Sequence, residues 1–180
     1  MKFSRTSIND LIVIQPTVFE DDRGCFFESY NENIFAKNGI DIKFVQDNQS
    51  VSRKGVLRGL HFQAPPYSQA KLVRVIKGSV LDVAVDIRKK SNTYGKYFSI
   101  ELNEENKTML YIPEGFAHGF IAKENNTVFV YKCSNFYSKE SEHSILWNDP
   151  KIGIDWHEQS PIISEKDKLG ILFNQLVSPF

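Results

Sequence analysis

Leu57-Arg58-Gly59-Leu60-His61-Phe62-Gln63, followed eight residues later by Lys71 and a β-rich run, decides how this chain is read. The heptapeptide sets a histidine among apolar neighbours, with cations close by, where a strand is expected inside a small all-β domain. A lone strand histidine is more often satisfied by its core than functional. A second segment, Ile112-Pro113-Glu114-Gly115-Phe116-Ala117-His118-Gly119, has the form of a turn that delivers another histidine to the same barrel. Two histidines placed in this way imply a pocket.

Strand signals extend outward from these two segments. Lys71–Lys77 and Val80–Ile87 are rich in Val, Ile and Leu and flank Gly78-Ser79, which reads as a hairpin-like pair. Tyr97–Leu102, Thr108–Ile112, Phe120–Lys123, Val128–Cys133 and Ser144–Trp147 continue the series. Towards the N-terminus, Leu11–Phe19 and Cys25–Ser29 read as strands joined by the turn Asp21-Asp22-Arg23-Gly24. Asn31–Gly39 reads as one short helix with an Asn cap and a Gly stop. Ser164-Glu165-Lys166-Asp167 and the following Leu169–Leu176 read as a capped terminal helix or helical turn. Short strands joined by Gly, Pro and Asn turns predict a mainly β sandwich or barrel with a few short helices.

At 180 residues the chain is expected to form one domain, spanning 1–180. Its 22 basic residues balance 22 acidic ones, so no global charge recruits nucleic acid or a membrane surface. The N-terminus lacks the apolar stretch of a signal peptide, and no run approaches the roughly 18 apolar residues of a membrane span. Cys25 and Cys133 are far apart and form no CxxC, which suits free thiols in a cytoplasmic protein.

The two histidine segments resemble the motifs of the cupin superfamily, whose domains are jelly-roll barrels. Pro113, Gly115 and His118 match its Pro-x-Gly-x-x-His motif. Its other motif, His-x-His followed by Glu and, after six residues, Gly, is altered here to His61-x-Gln63, then Lys71, with Gly78 in place. The segment between Gln63 and Lys71 is also longer than that motif allows. Replacing one His by Gln and the Glu by Lys removes two ligands and adds a competing positive charge, so no metal is expected.

A narrower resemblance runs almost end to end. Phe19–Glu28, Phe44-Val45-Gln46-Asp47-Asn48, Val56–Gln63, Lys71-Leu72-Val73-Arg74, Asp82–Asp86, Ile112–Gly119, Tyr131-Lys132, Ile145-Leu146-Trp147-Asn148 and Ser164–Asp167 are together similar to the dTDP-4-dehydrorhamnose 3,5-epimerases of dTDP-L-rhamnose synthesis. The resemblance implies a cofactor-independent jelly roll acting on a dTDP-sugar. It also implies a homodimer in which an N-terminal hairpin, about residues 1–30, contributes to the partner's site. Epimerases inverting one carbon only, or using another nucleotide, share the same base and much of the pocket.

Inverting a carbon beside a ketone needs a base on one face, a proton donor on the other and a group that stabilises enolate charge. His61 suits the base, since its unperturbed pKa of about 6.5 leaves neutral imidazole available. The resemblance makes Asp167 its orienting carboxylate, although by spacing alone Ser164-x-x-Asp167 is a helix-cap pattern. It likewise makes Tyr131 the acid. A phenol of pKa about 10 is a weak donor, but the enolate it protonates is basic enough. Lys71 and His118 are candidates for polarising the carbonyl region. Arg23, Arg58 and Lys166 match positions that contact substrate and suit a diphosphate. Glu28, Gln46, Asp47, Asn48 and Glu142 match further substrate contacts.

Overall fold

The computed structural model describes residues 1–180. Its strands, in chain order, begin with β1 (Lys2–Arg5), β2 (Ile12–Gln15), β3 (Val18–Asp21) and β4 (Gly24–Phe27). After helix α1 (Glu32–Lys37) come β5 (Gln46–Ser52), β6 (Val56–Gln63), β7 (Lys71–Lys77) and β8 (Ser79–Asp86). β9 (Tyr97–Asn103), β10 (Met109–Ile112), β11 (Phe116–Ala122), β12 (Thr127–Cys133) and β13 (Glu142–Ser144) follow, and the chain ends with β14 (Ile162–Ile163), the single turn α2 (Glu165–Lys168) and a 3-10 turn at Phe173–Gln175.

Two sheets face each other. One has the order β1-β2-β10-β7-β12-β5 and the other β13-β6-β11-β8-β9, so the architecture is the expected mainly β jelly roll. Their facing sides bury an apolar layer including Leu11, Val73, Val80, Leu102, Leu110, Ile112, Phe120 and Phe129. Residues of β5 alternate between the two sides of its sheet, with Gln46, Asn48 and Ser50 partly covered and Asp47, Gln49 and Val51 exposed, as the two-residue strand period requires. The outer side of the second sheet is covered by the C-terminal segment through Ile152, Trp156 and Phe173. On the first sheet α1 performs this role only in part, packing Phe35 against Ile14, Leu72 and Met109. Val51 and Ile76 of that sheet stay exposed.

Several sequence expectations shift in detail. Leu11–Phe19 splits into β2 and β3, because Pro16 has no amide hydrogen to continue a ladder. The β3–β4 hairpin forms its own two-stranded sheet. Gly78 does not close a hairpin. β7 pairs with β10 and β12, whereas β8 pairs with β11 and β9, so the chain crosses from one sheet to the other at this residue. Gly78 has φ +76°, and a Cβ there would meet Thr127 Oγ1 at 2.5 Å, so the crossover is built for glycine.

Helix α1 forms as read, with Asn31 Oδ1 accepting from Ile34 N at 3.2 Å and Gly39 just beyond its end. The C-terminal helix is only one turn. Leu169–Leu176 does not continue it, because Ile171 instead bridges Ile145 in parallel and extends the edge of the second sheet. No helix is long and apolar enough to cross a membrane.

Candidate active site

Strands β6 and β11 carry the two histidines side by side, with His61 opposite His118 in the ladder. The pair is brought close by a register shift between His118 and Phe120, where a Cβ on Gly59 would lie 2.6 Å from the Gly119 Cα. Each histidine is tied to a buried carboxylate. His61 Nε2 lies 2.6 Å from Asp167 Oδ1, and His118 Nε2 lies 2.9 Å from Asp82 Oδ2. Burial alone would raise the Asp167 pKa, but hydrogen bonding and attraction from His61, with help from the Gly59 amide and Ser164, hold it below the usual carboxylate value. Ionised Asp167 can only accept, so Nε2 of neutral His61 carries the hydrogen and Nδ1 keeps the lone pair.

Asp167 therefore makes both contacts expected of it, the cap that its spacing predicts and the histidine contact that the resemblance implies. Its backbone N–H donates to the capping Ser164 Oγ at 3.1 Å, which ends β14 and starts α2. The same turn leaves its carboxylate, only 5% exposed, against His61.

Across the cavity, the other sheet supplies Lys71 at the start of β7 and Tyr131 on β12, with the Lys71 ammonium 5.9 Å from the centre of the Tyr131 ring. Burial pushes the Tyr131 phenol up, so it remains protonated. Burial pulls Lys71 down against the attraction of Cys133, Asp82 and Glu142. His118 is also pulled down, first by burial and then by the charges on Lys71 and His61, against the opposing pull of Asp82. It is held towards the neutral imidazole.

The cavity between these walls has a volume of about 400 Å³ and is lined by His61, Lys71, His118, Tyr131, Asp167, Asn48, Arg58, Glu142 and Lys166. Beside it a lobe of about 280 Å³ shares His61, Lys71, Tyr131, Asn48 and Glu142 and adds Gln46, Gln69 and Tyr137. Glu142 accepts from Tyr137 Oη at 2.7 Å and is paired with Lys166. Burial would raise the Glu142 carboxyl, but these two partners hold it low.

Ten of the residues singled out from the sequence therefore converge: His61, Tyr131, Asp167, Lys71, His118, Arg58, Glu142, Lys166, Gln46 and Asn48. Three do not reach this cavity within the chain. Arg23 sits at the tip of the β3–β4 hairpin, 89% exposed and paired with Asp21. Glu28 accepts from Asn31 Nδ2 at 3.1 Å in the approach to α1. Asp47 lies on the outer side of β5, bonded to Lys132 at 3.0 Å.

Two members were missed in the sequence. Asp82, wholly buried beneath His118, stands within the apolar run Val80–Val85, where a charged residue cannot sit without a partner. That mismatch was the available signal. Tyr137 lies in an irregular segment that shows no period at all.

The sequence profile of the dTDP-4-dehydrorhamnose 3,5-epimerase family matches residues 5–175. A dTDP-4-dehydrorhamnose 3,5-epimerase of Shigella flexneri is 52% identical over 174 residues, 96% of either chain. The crystal structure of the enzyme of that name from Elizabethkingia anophelis aligns with a TM-score of 0.92 at 50% identity over 97% of both chains. A dTDP-6-deoxy-D-glucose-3,5-epimerase of Legionella pneumophila, solved in complex with dTDP-4-keto-L-rhamnose, aligns with a TM-score of 0.94 at 44% identity, covering 97% of this chain and 94% of the other.

Proposed function

The chain belongs to the dTDP-4-dehydrorhamnose 3,5-epimerase family, and from that premise we propose how its pocket residues divide the work. The activity is epimerisation at C3 and C5 of dTDP-4-dehydro-6-deoxy-D-glucose, giving dTDP-4-dehydro-L-rhamnose. Both carbons stand next to the C4 ketone, so each inversion removes an acidic C–H proton, passes through an enolate and returns a proton to the opposite face.

His61 Nδ1 takes the proton, and the imidazolium that forms is stabilised by Asp167. One observation carries the assignment: this 2.6 Å pair opens onto a cavity whose opposite wall presents Tyr131. A sugar ring lying between the sheets has the base on one face and a protonated phenol on the other, so Tyr131 delivers the returning proton. Lys71 stabilises the enolate oxygen, where charge grows towards the transition state. His118, held neutral with Nε2 on Asp82, offers Nδ1 as an acceptor and orients a substrate hydroxyl. Arg58 and Lys166 attract the diphosphate, with Asn48, Gln46 and Glu142 completing the polar lining. No metal or other cofactor takes part in this scheme.

Arg23 and Glu28 enter the scheme through a homodimer in which the N-terminal hairpin of each chain completes the partner's site. Their distance from this chain's cavity supports that reading, as do Phe19 and Phe26 exposed on the same hairpin. Cytoplasmic residence is the matching expectation, supported by two cysteines that are both free.

Proton NMR in deuterated water tests the activity: label should enter the product at both C3 and C5, and label at one carbon alone would sink the double inversion. Mixing tests the dimer. His61→Ala and Arg23→Ala chains are each expected to be inactive, and a mixed dimer regains one intact site. Mixtures that stay inactive would remove the shared site.

A further inference from the structure

The chain leaves the sheet after β12 and runs through Asn135, Phe136, Tyr137 and Ser138 with very little backbone support. Asn135, Phe136 and Tyr137 make no backbone–backbone hydrogen bond, and Ser138 makes only one, as acceptor from Ser141 N. Main-chain groups in such a segment need other partners to hold one conformation. Here three glutamine side chains supply most of them, and Asn135 Oδ1 accepts from Phe136 N at 2.9 Å. Gln69 Nε2 donates to Asn135 O at 2.7 Å, and Gln63 Nε2 donates to Phe136 O at 3.2 Å. Gln46 Oε1 accepts from Tyr137 N at 3.0 Å, and Gln63 Oε1 accepts from Ser138 N at 2.7 Å.

Gln63 is the centre of this arrangement. It is buried, and its remaining N–H capacity goes to Tyr67 O at 2.6 Å, so it ties the 64–69 segment to the 135–138 segment. Its amide gives two N–H bonds and accepts a third, a set that neither a carboxylate nor an imidazole can offer. This is also the position where a metal-binding cupin would place its second histidine. The side chain here is committed to the loop instead.

What the segment presents is Tyr137, whose ring is half exposed at the lobe beside the catalytic cavity and whose Oη is bonded to Glu142. A flat ring held at that mouth is a surface on which a nucleoside base can stack. We propose that Gln63 is a positioning residue for nucleotide binding, acting through the 135–138 segment and Tyr137 rather than on the reacting carbons. The proposal rests on the dTDP-sugar reading above.

Calorimetry with dTDP alone, together with steady-state kinetics, tests it on the full-length protein. Gln63→Glu keeps the size and the Ser138 bond but turns an acceptor towards two carbonyl oxygens. It should weaken dTDP and raise KM by about tenfold, leaving kcat within about twofold of wild type. In a Tyr137→Ala background the same change should add less than about twofold, because its route is already cut. Gln63→Met, which removes all three bonds, should behave in the same way. Unchanged dTDP affinity, a fall in kcat at constant KM, or penalties that add in full would each overturn the proposal, as would failure of both Gln63 variants to fold. A wild-type chain that binds dTDP but does not epimerise would instead strike the activity, and the dTDP measurements would still judge Gln63.

Discussion

On the sheet carrying β6 and β11, both cavity histidines are bound to buried carboxylates, whereas on the facing sheet neither the Lys71 ammonium nor the Tyr131 hydroxyl has a protein hydrogen-bond partner. One wall holds both histidines in built-in pairs, with Asp82 Oδ1 alone left without a partner, and the other is left open. On the proposed division of roles, the difference separates the groups set in advance from those that wait for substrate. A base must hold one tautomer and one orientation before the C–H bond is attacked, so its partner is built into the fold. A proton donor and an enolate-stabilising cation act on atoms of the substrate, and a competing protein partner would weaken them.

Breaking the paired wall should have the largest effect. Asp167→Asn keeps the shape of the pair but can present an N–H to His61 Nε2, which moves the ring hydrogen to Nδ1 and removes the lone pair aimed at substrate. The expected loss in kcat is about three to four orders of magnitude, with little change in dTDP affinity. Single-turnover kinetics and calorimetry measure both. A loss below about tenfold would mean that the 2.6 Å contact serves the α2 turn rather than the base.

Removing the donor from the open wall should cost less and should separate two processes. Tyr131→Phe leaves abstraction by His61 intact while slowing delivery of a proton to the opposite face, by about a hundredfold or more. Exchange of substrate C–H for solvent deuterium should therefore outlast net inversion. If exchange and inversion fall together, Tyr131 is not the donor on the second face.

The same contrast marks how far the sequence could be read. His61, Lys71 and Tyr131 stand on strands whose β-rich runs are local, so their elements were legible one at a time. His118, read as carried by a turn ahead of a strand at Phe120, lies instead inside β11, which is buried throughout. Which strands pair was not legible, because β7 and β8 are adjacent in the chain yet belong to different sheets. No local pattern distinguishes a hairpin glycine from a crossover glycine such as Gly78. The paired wall was half legible. The partner of His61 came only from family resemblance, since Ser164-x-x-Asp167 spells a helix cap, and the partner of His118 was hidden among valines. The loop carrying Tyr137 was illegible for a physical reason: its conformation is held by glutamines from distant segments.

The smallest expected effect lies in stability, and it concerns the cost of leaving a wall open. Burial holds the Lys71 pKa in the folded chain below the ordinary lysine value of 10.5, so the folded state binds this proton less tightly than the unfolded chain does. The charged amine is thus a penalty that is complete below the folded pKa and fades as pH rises from there towards the unfolded value. Lys71→Met fills the same space without the charge. At pH 7 it should raise stability by about 1 kcal/mol, a figure kept small because the ammonium opens onto the cavity, or Tm by about 2–4 °C. Activity should fall by about a hundredfold at the same time. The difference in Tm between the two proteins should shrink as pH is raised from 7 towards 10. In the wild type, activity should decline on the alkaline side below 10.5, because Lys71 loses its proton before Tyr131, whose phenol is pushed up. Lys71→Arg should move that decline upward. A Met variant less stable than wild type at pH 7, with a gap that ignores pH, would mean that Lys71 is held by a structural partner and that the second wall is not open.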